Sequence, residues 1–265
     1  MKLNFNSIII IINIMLIITI LVLIYNIKTS IDSIKNQYIP DHPLTVQIKD
    51  TIIEYDKSLI EITDTLELKL YYPRYSRIDL VCGNMPAKND SSIIFMASAA
   101  YTLKCLNKFE HSNIIGNHVS GGKLYHGSPS NTYRGAFIFY NDSARFIYND
   151  WVEEMRIAAE NGGCGFAQDM MIHADTIVNH WRSTSDRNAY RALCKINGKV
   201  AIADSKKVIK FGDFIDNLIK AGASEAIYLD MGGWNYSWYR DNDGKVTEIH
   251  TKPNKYATNW ITFYR

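Results

Sequence analysis

The sequence predicts an α+β domain, mostly antiparallel or mixed β-sheet with two or three helices, preceded by an N-terminal transmembrane helix. Three observations carry that prediction. From residue 44 onward, runs rich in β-branched and aromatic residues recur between turn residues. Two stretches, 151–161 and 213–221, place apolar residues on one helical face and stop at glycine. Ahead of both, residues 8–25 are apolar apart from Asn13 and Thr19.

That first run approaches the roughly 30 Å of a bilayer core when helical. A helix apolar on every face cannot sit on the surface of a soluble domain. No small-x-small cleavage site follows it, because Tyr25-Asn26-Ile27-Lys28 is a poor match. The expectation is therefore an uncleaved anchor in residues 1–26, single-pass, with the domain outside the cytoplasm. The alternative is a signal peptide, giving a secreted or periplasmic product. Residues 27–44 read as a juxtamembrane linker with a short helix, since Ile27, Ile31, Ile34 and Tyr38 are helically spaced and Pro40 and Pro43 close it.

Residues 45–265 form the domain. Residues 58–72 and 77–82 read as strands, and 93–101 as a buried strand ending in small residues. Residues 135–150 read as a hairpin turning at Asn141-Asp142-Ser143. The stretch 151–161 is a helix stopped by Gly162-Gly163, and 213–221 a helix with Asp213 as cap and Gly222 at its C-terminal end. Residues 189–205 form a hairpin around Asn197-Gly198; 226–230 and 260–264 complete the strands.

With 265 residues and 47% hydrophobic side chains, the chain can bury a core without staples. Its net charge of +2 and the lack of a basic run argue against a nucleic-acid partner. The four cysteines, Cys82, Cys105, Cys164 and Cys194, match neither a zinc spacing nor a CxxC motif. No cofactor is expected; a divalent cation beside Asp230 is compatible with the sequence, but no ligand cluster demands one.

The order of elements from residue 188 to 235 is specific: a strand carrying Arg191, a tight turn, a strand, a helix ending at Gly222, a strand, then Asp230-Met231-Gly232-Gly233. With "YRALCKINGKVAIAD", "FIDNLIKAGASEAIYLD" and "MGGWN", and upstream "GFAQDMMIHAD" and "IIGNHVSGGKLYHG", this order resembles the phosphodiester glycosidase family across residues 93–240. The resemblance implies a hydrolase that cleaves a sugar–phosphate diester at the glycosidic bond, with a carbohydrate or sugar-phosphate as substrate. Two departures support an alternative, a non-catalytic envelope polysaccharide-binding module on the same fold. The chain reads "ASAAYT" where the family has an asparagine-glycine turn, and Met231 and Trp234-Asn235 replace the family's glycine and serine.

The residues suit such chemistry. Asp230 ends an apolar strand, so a carboxylate lies at the edge of a core where desolvation tunes its acidity. Arg191 can hold a phosphate through its guanidinium fork. His118, in a loop flanked by glycines, titrates in the range that proton transfer needs. Asp230, Arg191 and His118 are thus the candidate catalytic residues. Asn117, Ser120, Gln168, Gly232, Gly233, Trp234 and Asn235 are the candidate substrate contacts, with Asp169 in the same cleft. Cys164 lacks the basic neighbour that would activate a thiol nucleophile.

Overall fold

The computed structural model describes residues 58–65, 67–103, 108–130, 132–230, 236–251 and 257–265, together with the isolated positions Thr19 and Lys28. The predicted anchor over 8–25, the juxtamembrane segment, Cys105, and Gly232, Gly233, Trp234 and Asn235 lie outside the described residues. Among the described residues no helix is long and apolar enough to cross a membrane. Tyr55–Arg265 forms one compact unit and Met1–Glu54 another.

Among the described residues, three large antiparallel sheets and a two-stranded pair, Arg187–Asn188 with Ile209–Lys210, build the larger unit. The largest has seven strands, in the order Ile60–Asp64, Leu68–Pro73, Lys199–Ser205, Arg191–Ile196, Ala223–Leu229, Met170–His173 and Thr176–Ile177. A five-stranded sheet follows the order Val246–Thr251, Tyr236–Arg240, Ile93–Ser98, Asn259–Tyr264 and Arg77–Cys82. The other five-stranded sheet runs Lys123–Tyr125, His118–Ser120, Cys164–Gln168, Gly135–Tyr140 and Ser143–Tyr148. One apolar cluster, including Tyr71, Phe95, Phe137, Phe166, Leu193 and Ile261, draws on all three sheets. Strands buried on both faces explain their unbroken apolar runs, such as "IIFMAS" and "GAFIFY".

The hairpins sit where the sequence places them. Asn197 (φ 49°) and Gly198 (φ 79°) turn Arg191–Ile196 into Lys199–Ser205. Both central residues have positive φ, the two-residue turn that matches strand twist and that Asn-Gly adopts at least cost. Asn141 (φ 48°) and Asp142 (φ 55°) do the same for Gly135–Tyr140 and Ser143–Tyr148.

Each helix covers one sheet. Val152–Glu160 buries Met155 and Ala158 against the sheet that holds His118. Phe211–Lys220 buries Phe211, Phe214, Ile215 and Leu218 against the seven-stranded sheet. Those four positions form one helical stripe, and each contributes roughly 1.5–3 kcal/mol on burial. The second helix starts earlier than predicted. Lys210 occupies the capping position without a side-chain cap, and Asp213 falls within the first turn. Asp213 there complements the helix dipole instead of capping the helix.

Candidate active site

Two carboxylates occupy places where the chain leaves one sheet for another. Cys164–Gln168 belongs to the sheet of His118 and Met170–His173 to the seven-stranded sheet, with Asp169 between them. Asp230 follows the strand Ala223–Leu229. A chain that changes sheets must break its ladder, which frees a side chain to point into the junction instead of the core. The Tyr228 amide donates to the Asp169 carbonyl at 2.9 Å, and the Asp230 amide to the Ala99 carbonyl at 2.9 Å. These bonds tie the two crossings together, and they place the "ASAAYT" segment directly beside Asp230.

Asp169 is only 1% exposed, and among the described residues neither carboxylate oxygen finds a hydrogen bond of good geometry. Burial raises its pKa to about 7, the nearby Trp181 amide and Arg182 charge offsetting part of that rise. Gln168 is fully buried; its Oε1 accepts the Asp169 amide at 3.0 Å, and its Nε2 has no partner among the described residues. Asp230 is 7% exposed. Tyr133 feels the charges of both Asp230 and Asp169, and Tyr101 feels those of Asp230 and Arg182. The two acids, the arginine and the two tyrosines therefore share one electrostatic neighbourhood.

Arg182 sits in an aromatic cage. Its guanidinium lies 4.9 Å from the Trp181 ring centre, 4.9 Å from Tyr228, 5.6 Å from Phe211 and 5.9 Å from Tyr190. It donates to the Tyr101 hydroxyl, while its Nε has no partner among the described residues. Among the described residues no carboxylate lies within ion-pair distance of it. Tyr101 stacks on Tyr133 with ring centres 6.2 Å apart and meets Trp181 edge-on. With Ile115, Pro129, Ser130 and Thr132, these side chains line a cleft of about 540 Å³. Neither this cleft nor a second one, of about 510 Å³ near Tyr72 and Lys199, has Asp169 or Asp230 in its lining.

The predicted residues divide between two places. Asp230, Gln168 and Asp169 lie buried at the sheet crossings; none of them lines the cleft, but the charges of the two acids reach its Tyr133, and that of Asp230 its Tyr101. Arg191 pairs with Leu229 across the sheet, so its strand is the neighbour of the one that ends at Asp230. It is fully buried, and Asp204 on the next strand holds it bidentately, Nε to Oδ1 at 2.6 Å and Nη2 to Oδ2 at 2.7 Å. The fork expected to meet phosphate is thus engaged by an internal carboxylate. His118 lies in the other five-stranded sheet, fully buried, its Nε2 2.8 Å from His111 Nδ1. Burial lowers its pKa to about 4, so the loop histidine expected to titrate near neutrality is a buried neutral imidazole. Ser120 donates to the Leu80 carbonyl at 2.7 Å and Asn117 Oδ1 faces His126 Nδ1 at 3.3 Å. Cys164 is buried and its thiol is pushed well up, in keeping with its exclusion as nucleophile. Arg182, Tyr101 and Tyr133 are site residues that the sequence does not single out. Arg182 stands in the polar stretch "HWRSTSD", whose only signal is an arginine beside a tryptophan.

No family model and no curated protein sequence matches this chain. Among solved structures, the auto-inhibited catalytic domain of zebrafish N-acetylglucosamine-1-phosphodiester alpha-N-acetylglucosaminidase matches with a TM-score of 0.54 at 14% identity. The match covers 79% of this chain and 83% of that one. The chain shares that fold. A hypothetical protein from Synechocystis matches with a TM-score of 0.47 at 10% identity, over 78% of this chain and 61% of the other. The fold implied by the sequence resemblance therefore has a structural counterpart, while function has to be argued from the site.

Proposed function

We propose that the chain is a membrane-anchored hydrolase, its domain outside the cytoplasm, that cleaves a sugar–phosphate diester at the glycosidic bond. The observation that carries the reading is Asp169: a buried carboxyl whose oxygens find no hydrogen bond of good geometry among the described residues, beside a second acid and an arginine that has no carboxylate partner among them. Two carboxyl groups in unlike surroundings divide acid and base work between them. Asp169, protonated up to about pH 7, donates its proton to the bridging oxygen as the bond to the anomeric carbon breaks. The electron pair of that bond leaves with the phosphate, and Arg182 neutralises the phosphate charge through its guanidinium edge. Asp230 faces the developing positive charge at the anomeric carbon and accepts the proton of the attacking water. Tyr101, Tyr133 and Trp181 offer ring faces on which a sugar stacks. Arg191, held by Asp204, supports the strand next to Asp230 and leaves phosphate binding to Arg182.

The test is hydrolysis of sugar-phosphodiesters by the full chain in detergent. Turnover that disappears in Asp230→Asn and Asp169→Asn, with folding intact, supports the reading. Tight glycan binding without any turnover by the unmutated chain would instead establish the non-catalytic module, which the small-residue segment beside Asp230 favours.

A further inference from the structure

We infer that Cys82 Sγ, His111 Nδ1 and His118 Nε2 form a zinc-binding site, separate in its ligands from Asp169 and Asp230. The three donor atoms lie within 4.8 Å of one another. They come from three segments: the end of the strand Arg77–Cys82, the short 3-10 turn His111–Asn113, and the start of the strand His118–Ser120. A thiolate with two imidazoles is a borderline-soft set that suits zinc and disfavours calcium or magnesium. Bond lengths of about 2.0–2.1 Å to nitrogen and 2.3 Å to sulfur put tetrahedral ligand atoms roughly 3.3–3.6 Å apart. The imidazole nitrogens, 2.8 Å apart, need to open by about half an ångström, and the thiol, within 4.8 Å of both, to close by at most about 1.2 Å.

The surroundings are those of a metal ligand set. His118 Nδ1 lies 3.3 Å from the Gly116 carbonyl. Donation there fixes the tautomer and leaves the Nε2 lone pair aimed at the cluster, as outer partners of metal-bound histidines do. Tyr125 stacks on His111 with ring centres 3.4 Å apart and planes 6° apart, and Phe109 meets its edge, so the ring is held in plane. Asp79 lies near enough for its charge to act on Cys82. With the thiolate, it balances a divalent cation in a largely buried site. Three protein ligands leave a fourth position for water. The competing account is a plain hydrogen bond between the two imidazoles, with the thiol a bystander.

Cobalt(II) distinguishes the two, because a thiolate–cobalt bond gives a charge-transfer band and a tetrahedral site gives intense d–d bands. The full chain, stripped with chelator and kept reduced, is titrated with cobalt and then with zinc. Expected are both kinds of band saturating at one equivalent per chain, displacement by zinc, and a zinc-dependent rise in Tm. Cys82→Ser loses the charge-transfer band. His111→Ala, in a short surface turn, keeps the fold and weakens zinc binding about tenfold or more. His173→Ala, whose partner is Glu225, binds as the unmutated chain does. The inference is overturned by a natively folded chain that shows no saturable band, by binding that both cluster variants leave unchanged, or by a chain that takes copper and not zinc.

Discussion

Arg191 and Arg182 stand close in sequence and live in opposite surroundings. Arg191 is fully buried and carries its own counter-ion, Asp204, in a two-bond fork. Arg182 is half-buried, caged by rings, and has no carboxylate at ion-pair distance among the described residues. A cation whose partner is built in stabilises a fold; one whose partner is missing is disposed to take an anion from outside. An arginine's position in a motif thus says less about its role than whether the fold has already neutralised it.

The largest effect separates the two arginines by stability. Arg191→Met leaves Asp204 charged and buried, and costs roughly 3–5 kcal/mol. Urea unfolding measures it, and adding Asp204→Leu restores most of the loss. Arg182→Met spares stability by comparison but lowers turnover of a sugar-phosphodiester by about 10²–10³-fold. Equal loss of activity in a refolded Arg191 variant would break the contrast. Next comes Asp169. Its folded-state pKa of about 7 stands above its ordinary 3.8, so between those values the native chain holds a proton that the unfolded chain releases. Stability therefore falls as pH rises from about 4 to about 7, and Asp169→Asn flattens that slope in unfolding curves taken across the range. The unmutated chain loses activity above about pH 7 as Asp169 gives up its proton, whereas the same variant is inactive at every pH. The smallest effect belongs to Tyr101→Phe, which removes the hydroxyl that Arg182 bonds. It costs about 1 kcal/mol in phosphate affinity, read as a rise in KM with kcat little changed.

What sequence reveals here is local. Asn197-Gly198 and Asn141-Asp142 name their own turns because positive φ at consecutive positions is a property of those residues. The amphipathic stripe of 211–220 shows through its spacing, though its start does not, since no capping side chain marks it. Asp230 is legible as the acid that ends an apolar strand, and Asp169 through the resemblance of its strand. The raised pKa of Asp169 is not, because it comes from burial, which neighbours at residues 181 and 182 offset only in part. Tyr101, Tyr133, Arg182 and Tyr228 meet only through the packing of separate segments, and so do Cys82, His111 and His118. His118 illustrates the limit: flanking glycines suggest an accessible loop, yet Gly116 (φ 83°) lies so close to Ala167 that a Cβ built on it would meet the alanine side chain at 2.9 Å.

The strand Asn259–Tyr264 fills the gap between Ile93–Ser98 and Arg77–Cys82. At its start, Asn259 imitates a peptide group: its side chain accepts from the Ala100 amide at 2.7 Å and donates to the Ala100 carbonyl at 3.0 Å. Ala100 adjoins both the carbonyl that holds Asp230 and the ring of Tyr101. During vectorial synthesis, a ribosome making about 5–20 residues per second therefore emits both acids and both arginines well before the segment that locks their surroundings. The surroundings of Tyr101 are therefore complete only once residues 259–264 have been made and have paired with Ile93–Ser98 and Arg77–Cys82.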